Sequence, residues 1–192
     1  MAYATLAIVK AYLDIPTATT SDDALLNSLI DRAQEIIDAY TGRDFEAVTA
    51  TKYFTIDNVS GRWLYLWGYD LLTVITLTNG DAHATVFTAD QYRLEPRNET
   101  PKWAIRLKEN YDWDFDDSDS EISIAGTWGY SATAPADVVH ACIRLVSFLY
   151  RQKDTSGDID RPMVTGDGVT IMPSALPKDV MSILEKYRRR IA

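Results

Sequence analysis

The sequence has little of the two residue types that most often mark a chemical site, with one cysteine and two histidines among 192 residues. Cys142 has no partner for an internal disulfide, and its apolar neighbours are typical of a small buried side chain rather than a nucleophile. His83 and His140 lie far apart and have no companion at metal-ligand spacing. The sequence therefore predicts neither a disulfide scaffold nor a zinc site, and we expect no cofactor.

Long hydrophobic runs are also missing. The apolar stretch near the N-terminus is short and is interrupted by Lys10 and Asp14, and no segment approaches the ~20 apolar residues that a membrane span needs. We therefore expect no signal peptide and no membrane partner. The protein is expected to be made and used in the cytoplasm, or carried out of it inside something else.

Basic residues are outnumbered, since 19 Lys and Arg side chains stand against 28 Asp and Glu, for a formal charge of -9. Such a molecule is repelled as a whole by nucleic acid phosphates and by anionic membranes. Nonspecific gripping of DNA is therefore disfavoured. The nucleophile elbow, the Walker loop and the dinucleotide glycine pattern are missing too, and Gly166-Asp167-Gly168 indicates only a turn. We therefore expect that the protein is not an enzyme.

The sequence does predict helices towards both ends of the chain. Residues 22–43 carry apolar side chains at three- and four-residue steps, with Ser21 or Asp22 as the N-cap and Gly42 to close the last turn. A short helix over 5–13 precedes it. Pro135 begins a further helix over 136–150. Its apolar arc is so wide that it must be covered by the helix over 22–43 and also by the β region or a neighbouring subunit.

Between these helices the period changes to two. Strands are predicted in six aromatic and β-branched segments: 52–56, 62–67, 72–78, 92–95, 103–107 and 121–128. The predicted fold is α+β, a helical platform of about four helices, split by an inserted antiparallel β-sheet region. The platform covers residues 1–45 and 132–152 and the insertion covers 46–131. Residues 153–192 form a C-terminal arm, a long loop ending in a helix over 178–191.

An acidic run in the β region resembles a calcium loop at first sight. It comprises Asp112, Asp114, Asp116, Asp117, Asp119 and Glu121. It departs from the calcium-loop template because Asp117 stands where the sharp turn needs glycine, and the bidentate glutamate is missing. A solvated acidic hairpin loop is the expected structure. The loop could also present negative charge to something that passes close by.

Three aromatic residues share one face of a predicted strand, namely Trp63, Tyr65 and Trp67. Such a triplet could form a platform for sugar or for single-stranded bases. Exposed aromatic triplets are rare on monomers. We therefore favour the interpretation that they form the core of the sheet or a subunit contact.

The order of parts resembles the head-tail connector (adaptor) proteins of tailed bacteriophages. The resemblance is carried by L-D-I-P, then by DDALLNSLIDRAQEIIDAYTGRDF at 22–45, by GTWGY before Pro135, and by the closing Leu176-Pro177 and Tyr187-Arg188-Arg189. The resemblance covers the sequence of both helical ends. The β region is similar only in its type of secondary structure. The resemblance implies a structural virion protein in the neck, assembled in the host cytoplasm.

The resemblance further implies a ring, usually dodecameric, seated beneath the portal protein and continuing the DNA channel towards a downstream neck or tail-completion protein. Portal contact is carried over to the C-terminal segment, with candidates Tyr187, Arg188, Arg189 and Arg190. Double-stranded DNA would pass without specific binding, so we expect acidic residues to face the channel, with Asp112, Asp114, Asp116, Asp117 and Asp119 as candidates. Val139, Val146 and Leu149 are the candidate subunit contacts.

The β insertion is larger than in the mostly helical compact adaptors of this type, so it is expected to carry the downstream interface. The competing class is a carbohydrate- or host-binding tail module that uses Trp63, Tyr65 and Trp67. A glycan binder should work as a monomer, whereas a connector should form rings or bind a portal. An enzyme is the third and weakest class.

Overall fold

The computed structural model describes residues 3–153, 163–164, 170–171 and 176–189. The chain divides by its internal contacts into a helical unit, Met1–Gly42 with Ala134–Ala192, and a β unit, Arg43–Thr133. The predicted α+β class is confirmed, because four α-helices and two four-stranded antiparallel sheets lie in the described part of the chain.

The helical unit is built around its third helix. The helices are α1 (Leu6–Tyr12), α2 (Asp23–Thr41), α3 (Ala136–Gln152) and α4 (Lys178–Glu185). Helix α3 packs against all three of the others, and its buried side chains include Val138, Cys142 and Leu145. Helices α1 and α4 cover much of the wide apolar arc from within the unit, while Val139 and Leu149 stay half-buried. Coverage by a neighbouring subunit stays a prediction.

The ends of α2 show one cap that was predicted correctly and one that was not. Gly42 takes the left-handed conformation, with φ 66°, and its N–H donates to the carbonyl of Asp38. Asp22 occupies the N-cap position but makes no side-chain cap bond. Its carboxylate instead accepts hydrogen bonds from the Tyr150 hydroxyl and, at 2.8 Å, from the Lys153 ammonium. The start of α2 is thus tied to the end of α3.

The final helix is shorter than the predicted 178–191. It ends at Glu185, and the next N–H groups tighten into bonds with carbonyls three residues back. The N–H of Arg189 then donates to the carbonyl of Thr41 at 2.8 Å. The chain leaves the helix because it turns to meet the C-terminal end of α2. The described ends of the segment 163–171 form a short antiparallel pair, β9 (Met163–Val164) and β10 (Thr170–Ile171).

The β unit contains two antiparallel sheets. The first has the order β1, β8, β4, β5, and the second has the order β2, β3, β7, β6. Their bounds are β1 (Val48–Phe54), β2 (Val59–Ser60), β3 (Trp63–Tyr65), β4 (Leu71–Thr78), β5 (Val86–Phe87), β6 (Tyr92–Glu95), β7 (Ala104–Leu107) and β8 (Ile122–Trp128). The two-residue strands β2 and β5 were not predicted, because such short segments carry no periodic signal.

One hydrophobic cluster draws side chains from both sheets. Phe54, Leu77 and Ile124 come from the first sheet, and Leu64 and Ile105 come from the second. All five are almost completely buried. Since side chains alternate along a strand, burying these positions turns the intervening residues of the second sheet outward. That outer face is where the candidate site lies.

Candidate functional site

A row of aromatic rings lies on the outer face of the second sheet. We call Trp63, Tyr65, Trp67 and Trp103 the aromatic row. The intervening Leu64 is fully buried, so the alternation predicted for this strand is present. The aromatic side chains are not the core of the sheet, and that part of the interpretation from sequence is wrong. Its other part, a subunit contact, stays a prediction.

The rings of the aromatic row lie with nearly parallel planes. The centroid of Trp103 is 6.2 Å from that of Trp63 and 6.1 Å from that of Tyr65, with 6° between the planes in both cases. Tyr65 also stacks on Trp67 at 5.9 Å. Trp67 is 65% exposed and Trp103 is 50% exposed. The row is therefore a preformed apolar surface whose Trp67 and Trp103 are exposed, while Trp63 and Tyr65 are half-buried.

Basic side chains adjoin the aromatic row. Arg106 lies opposite Trp63 in the β3–β7 register, with its guanidinium carbon 5.1 Å from the ring centroid. Arg93 lies directly opposite Arg106 on β6. A surface pocket of about 450 Å³ is lined by Arg62, Arg93, Arg106, Leu107, Lys108 and Glu109. The row and these cations together form what we call the basic aromatic face.

The cations of this face are not neutralised by ion pairs. In the described ranges of the chain, Arg62, Arg93 and Arg106 make no salt bridge to a carboxylate. Like charges directly opposite each other on neighbouring strands repel. The face thus concentrates positive charge on a chain whose net charge is -9, with Glu109 as the one carboxylate in the pocket lining.

The acidic run is held in an alternating pattern that sequence reasoning missed. Tyr111, Trp113 and Phe115 pack against the hydrophobic cluster, and Phe87 meets the ring of Trp113 edge-on at 5.5 Å. The N–H of residue 114 donates to the Asn79 side chain, and that of residue 116 to the carbonyl of Gly80. The aromatic side chains therefore fix this segment to the unit.

The residue that follows each of these aromatic anchors is an exposed aspartate. We call Asp112, Asp114 and Asp116 the acidic ridge, and all three are exposed. Asp117 and Asp119 follow in a turn, where the Asp117 carboxylate accepts from the N–H of Asp119 at 2.9 Å. In the described part of the chain, no group of His, Cys, Asp or Glu is arranged to hold a metal ion. The five channel-facing candidates thus divide into a ridge and a turn.

The portal-contact candidates follow α4. Arg188 is exposed, with its guanidinium 3.8 Å from the Glu185 carboxylate and 5.8 Å from the centroid of the Tyr40 ring. Tyr187 and Arg189 are half-buried. Arg190 lies outside the described residues. The candidates that are described differ in exposure, and Arg188 presents the most accessible charge.

The subunit-contact candidates on α3 also differ in exposure. Val146 is completely buried in the helical unit, so it has no surface to offer another subunit. Val139 and Leu149 are half-buried.

Burial raises the pKa of the neighbouring Cys142 thiol to about 12, which keeps it protonated and unreactive at neutral pH.

Sequence reasoning missed Trp103, Arg93 and Arg106 as members of a common face. The available signal was period two, which turns Arg106 outward between the buried Ile105 and Leu107. The pairing register that brings β3, β7 and β6 together was not readable from local pattern.

No helix in the described part of the chain is long and apolar enough to cross a membrane.

Structures of the same fold come from the necks of particles. The chain resembles "Neck of empty GTA particle computed with C6 symmetry" with a TM-score of 0.66, "Neck of native GTA particle computed with C12 symmetry" with 0.60, and "Virion of native gene transfer agent (GTA) particle" with 0.57. Each match has 20% identity and covers 97% of this chain and 90% of the other. The fold is therefore that of a protein found in such necks.

A family model described as "Head completion protein" matches residues 3–190. The chain belongs to the head completion protein family, and it is a structural head-tail connector of the virion neck. No curated protein sequence matches it.

Proposed function

We propose that the chain closes into a ring of identical subunits, dodecameric in the virion, that sits beneath the portal protein and continues the DNA channel. The family match over residues 3–190 is the observation that carries this proposal. One of the structures with this fold was computed with C12 symmetry, which supports a twelve-fold ring for this chain. The ring would be assembled in the host cytoplasm and would act by holding partners rather than by catalysis.

The helical unit would supply part of the contact between subunits. Val139 and Leu149 keep exposed surface on α3, and Ile8 and Tyr12 of α1 are 47% and 41% exposed. Ring closure uses such heterologous contacts, in which one patch meets a different patch on the next subunit. The buried Val146 takes no part in this proposal.

The channel would be lined by negative charge. A basic lumen would bind the DNA that must slide through it, whereas a lumen lined by carboxylates repels the phosphates. The net charge of -9 suits this role, and the exposed turn at Asp117 and Asp119 is the lining candidate that we retain. Double-stranded DNA would pass without specific binding.

The β unit would carry the docking surface for the downstream neck or tail-completion protein.

The C-terminal segment would engage the portal. Arg188 is exposed, and the backbone bond between Arg189 and Thr41 holds the start of this segment on α2. A positive, locally anchored tip suits a contact with an acidic surface on a partner. This assignment follows the likeness to adaptors that use their C-terminus in this way.

A truncation tests the portal contact. Deleting residues 177–192 removes α4 as well as the basic tip, so the sharper variant is Arg188→Glu with Arg189→Glu, and Arg32→Glu is the control because Arg32 is exposed on α2. We expect the double variant to fold and to bind immobilised portal at least about tenfold more weakly, since charge reversal in an interface costs several kcal/mol. Undiminished portal binding by both the truncation and the double variant would remove the C-terminal segment from the proposal.

The exposed Trp67 and Trp103 favour a second candidate function, a carbohydrate- or host-binding tail module. Such a module would bind glycans as a monomer and would not need the portal. Glycan titration of the purified chain, followed by tryptophan fluorescence, distinguishes the two functions. Saturable glycan binding that Trp67→Ala abolishes would favour the tail module over the connector.

A further inference from the structure

The basic aromatic face and the acidic ridge lie on the same unit of one chain and have opposite charge. The pocket of the face is lined by four cations, Arg62, Arg93, Arg106 and Lys108, and by one carboxylate, Glu109. The ridge contributes the carboxylates of Asp112, Asp114 and Asp116. In the described ranges, the ridge carboxylates make no ion pair with any of those cations.

We propose that the basic aromatic face of one subunit binds the acidic ridge of the next subunit. The inference rests on the ring proposed above and adds which surfaces of the β unit meet within it. The occupant of the face is therefore a second copy of this chain, and the contact is heterologous, as ring closure requires.

Repulsion within each surface favours this pairing. Arg93 and Arg106 lie directly opposite each other on neighbouring strands, where like charges repel. The ridge places three exposed aspartates at alternate positions of one short segment, where their carboxylates repel one another. Docking the ridge against the face relieves both clusters, because each carboxylate then lies near a guanidinium and bidentate bonds become available.

Spacing and rigidity fit the same contact. Neighbouring strands lie about 4.8 Å apart, so Arg93 and Arg106 can share or bracket carboxylates of the ridge. Both surfaces are fixed in advance, the arginines on paired strands and the ridge by the half-buried aromatic anchors. Preorganisation of this kind lowers the entropic cost of association. Beside the charges, Trp67 and Trp103 offer apolar area for the neighbour to cover.

Two charge-reversed variants test the pairing. In the first, R93E/R106E, the face becomes negative; in the second, D114K/D116K, the ridge becomes positive. Each variant alone opposes like charges at every subunit contact, so we expect the half-assembly concentration to rise about tenfold or more, since close charge pairs at interfaces couple this strongly. Ring formation is measured by light scattering and native mass spectrometry on the full chain, alone and on portal.

Mixing the two variants is the decisive arm. In an equimolar mixture the negative face of the first variant meets the positive ridge of the second, and the positive face of the second meets the unchanged ridge of the first. We expect rings of alternating composition, which a dodecamer accommodates because its subunit number is even. The chain that carries all four reversals should also assemble. If each variant failed to assemble because of a general loss of stability, mixing the two would not restore assembly.

Matched controls and neutral variants keep the result interpretable. R32E/R97E and D57K reverse exposed charges outside both surfaces and should assemble as the unchanged chain does. If R93E/R106E fails to fold, R93Q/R106Q removes the charge without reversing it and should raise the half-assembly concentration to a smaller extent.

Several outcomes overturn the inference. Normal assembly of both reversed variants, or failure of their mixture to recover assembly, would do so while the ring itself stands. Loss of portal binding or of DNA binding by R93E/R106E, with ring formation unaffected, would assign the face to that other partner. If the unchanged chain forms no ring alone or on portal, the ring proposal fails, and the lack of association between the two variants then removes the pairing as well.

Discussion

At the scale of single residues, buried charge serves to fix loops. Lys10 is only 3% exposed, and its ammonium donates to the carbonyls of Thr17 and Thr19 at 3.2 and 2.5 Å and to the Asp23 carboxylate at 2.7 Å. In the sequence it only interrupted an apolar run. In the structure it joins α1 to the start of α2 through the loop between them.

Replacing that ammonium should destabilise the helical unit. Lys10→Met keeps the apolar stem but leaves Asp23 and two carbonyls without their donor, so we expect the free energy of unfolding to fall by about 1–3 kcal/mol. Urea denaturation followed by circular dichroism measures the change. Lys178→Met, at an exposed position on α4, is the control and should change stability by less than about 0.5 kcal/mol. Equal stability of the Lys10 variant and the control would contradict this role.

At the scale of elements, the first sheet depends on close approach of two backbones. Strand β8 pairs with β4 through a register that shifts twice, between Leu71 and Thr73 and between Val74 and Thr76. Gly126 lies at this place on β8, and a Cβ added there would stand 2.5 Å from the carbonyl oxygen of Thr73. The glycine is needed for space, since the obstructing atom is backbone and cannot rotate away.

Gly126→Ala should therefore weaken the β unit more than an alanine at an open glycine does. We expect a loss of about 1–3 kcal/mol or more from the forced shift of β4, as for other overpacked sites. Gly61→Ala is the comparison, because nothing lies within 4 Å of its added Cβ and only its φ of 57° is unfavourable, which costs roughly 1–2 kcal/mol. Thermal unfolding of both variants gives the comparison. A smaller loss of stability for Gly126→Ala than for Gly61→Ala would contradict the need for glycine at position 126.

The elements themselves were largely predictable from periodicity, while their partners were not. The stripe of α2 and the alternation of β3 are local patterns, and both elements formed as expected. The end of α4 was wrong because the bond from Arg189 to Thr41 is a long-range contact. The same holds for the basic aromatic face, since its residues meet only through strand pairing. Local pattern also could not show that half-buried aromatic anchors organise the acidic ridge.

At the scale of the whole molecule, association has to overcome a shared negative charge. Each subunit carries a net charge of -9, and identical subunits repel one another through that charge. Assembly therefore needs surfaces where local charge is complementary or apolar. The basic aromatic face, the acidic ridge and the exposed part of α3 are such surfaces.

The most direct test of the connector is the size of the chain in the presence of portal. The full chain is mixed with purified portal rings, and the mass of the complex is measured by light scattering beside that of each component alone. We predict a complex that contains one portal ring and a complete ring of this chain, whether or not the free chain is monomeric. A chain that stays monomeric and unbound at saturating portal concentration would contradict the account.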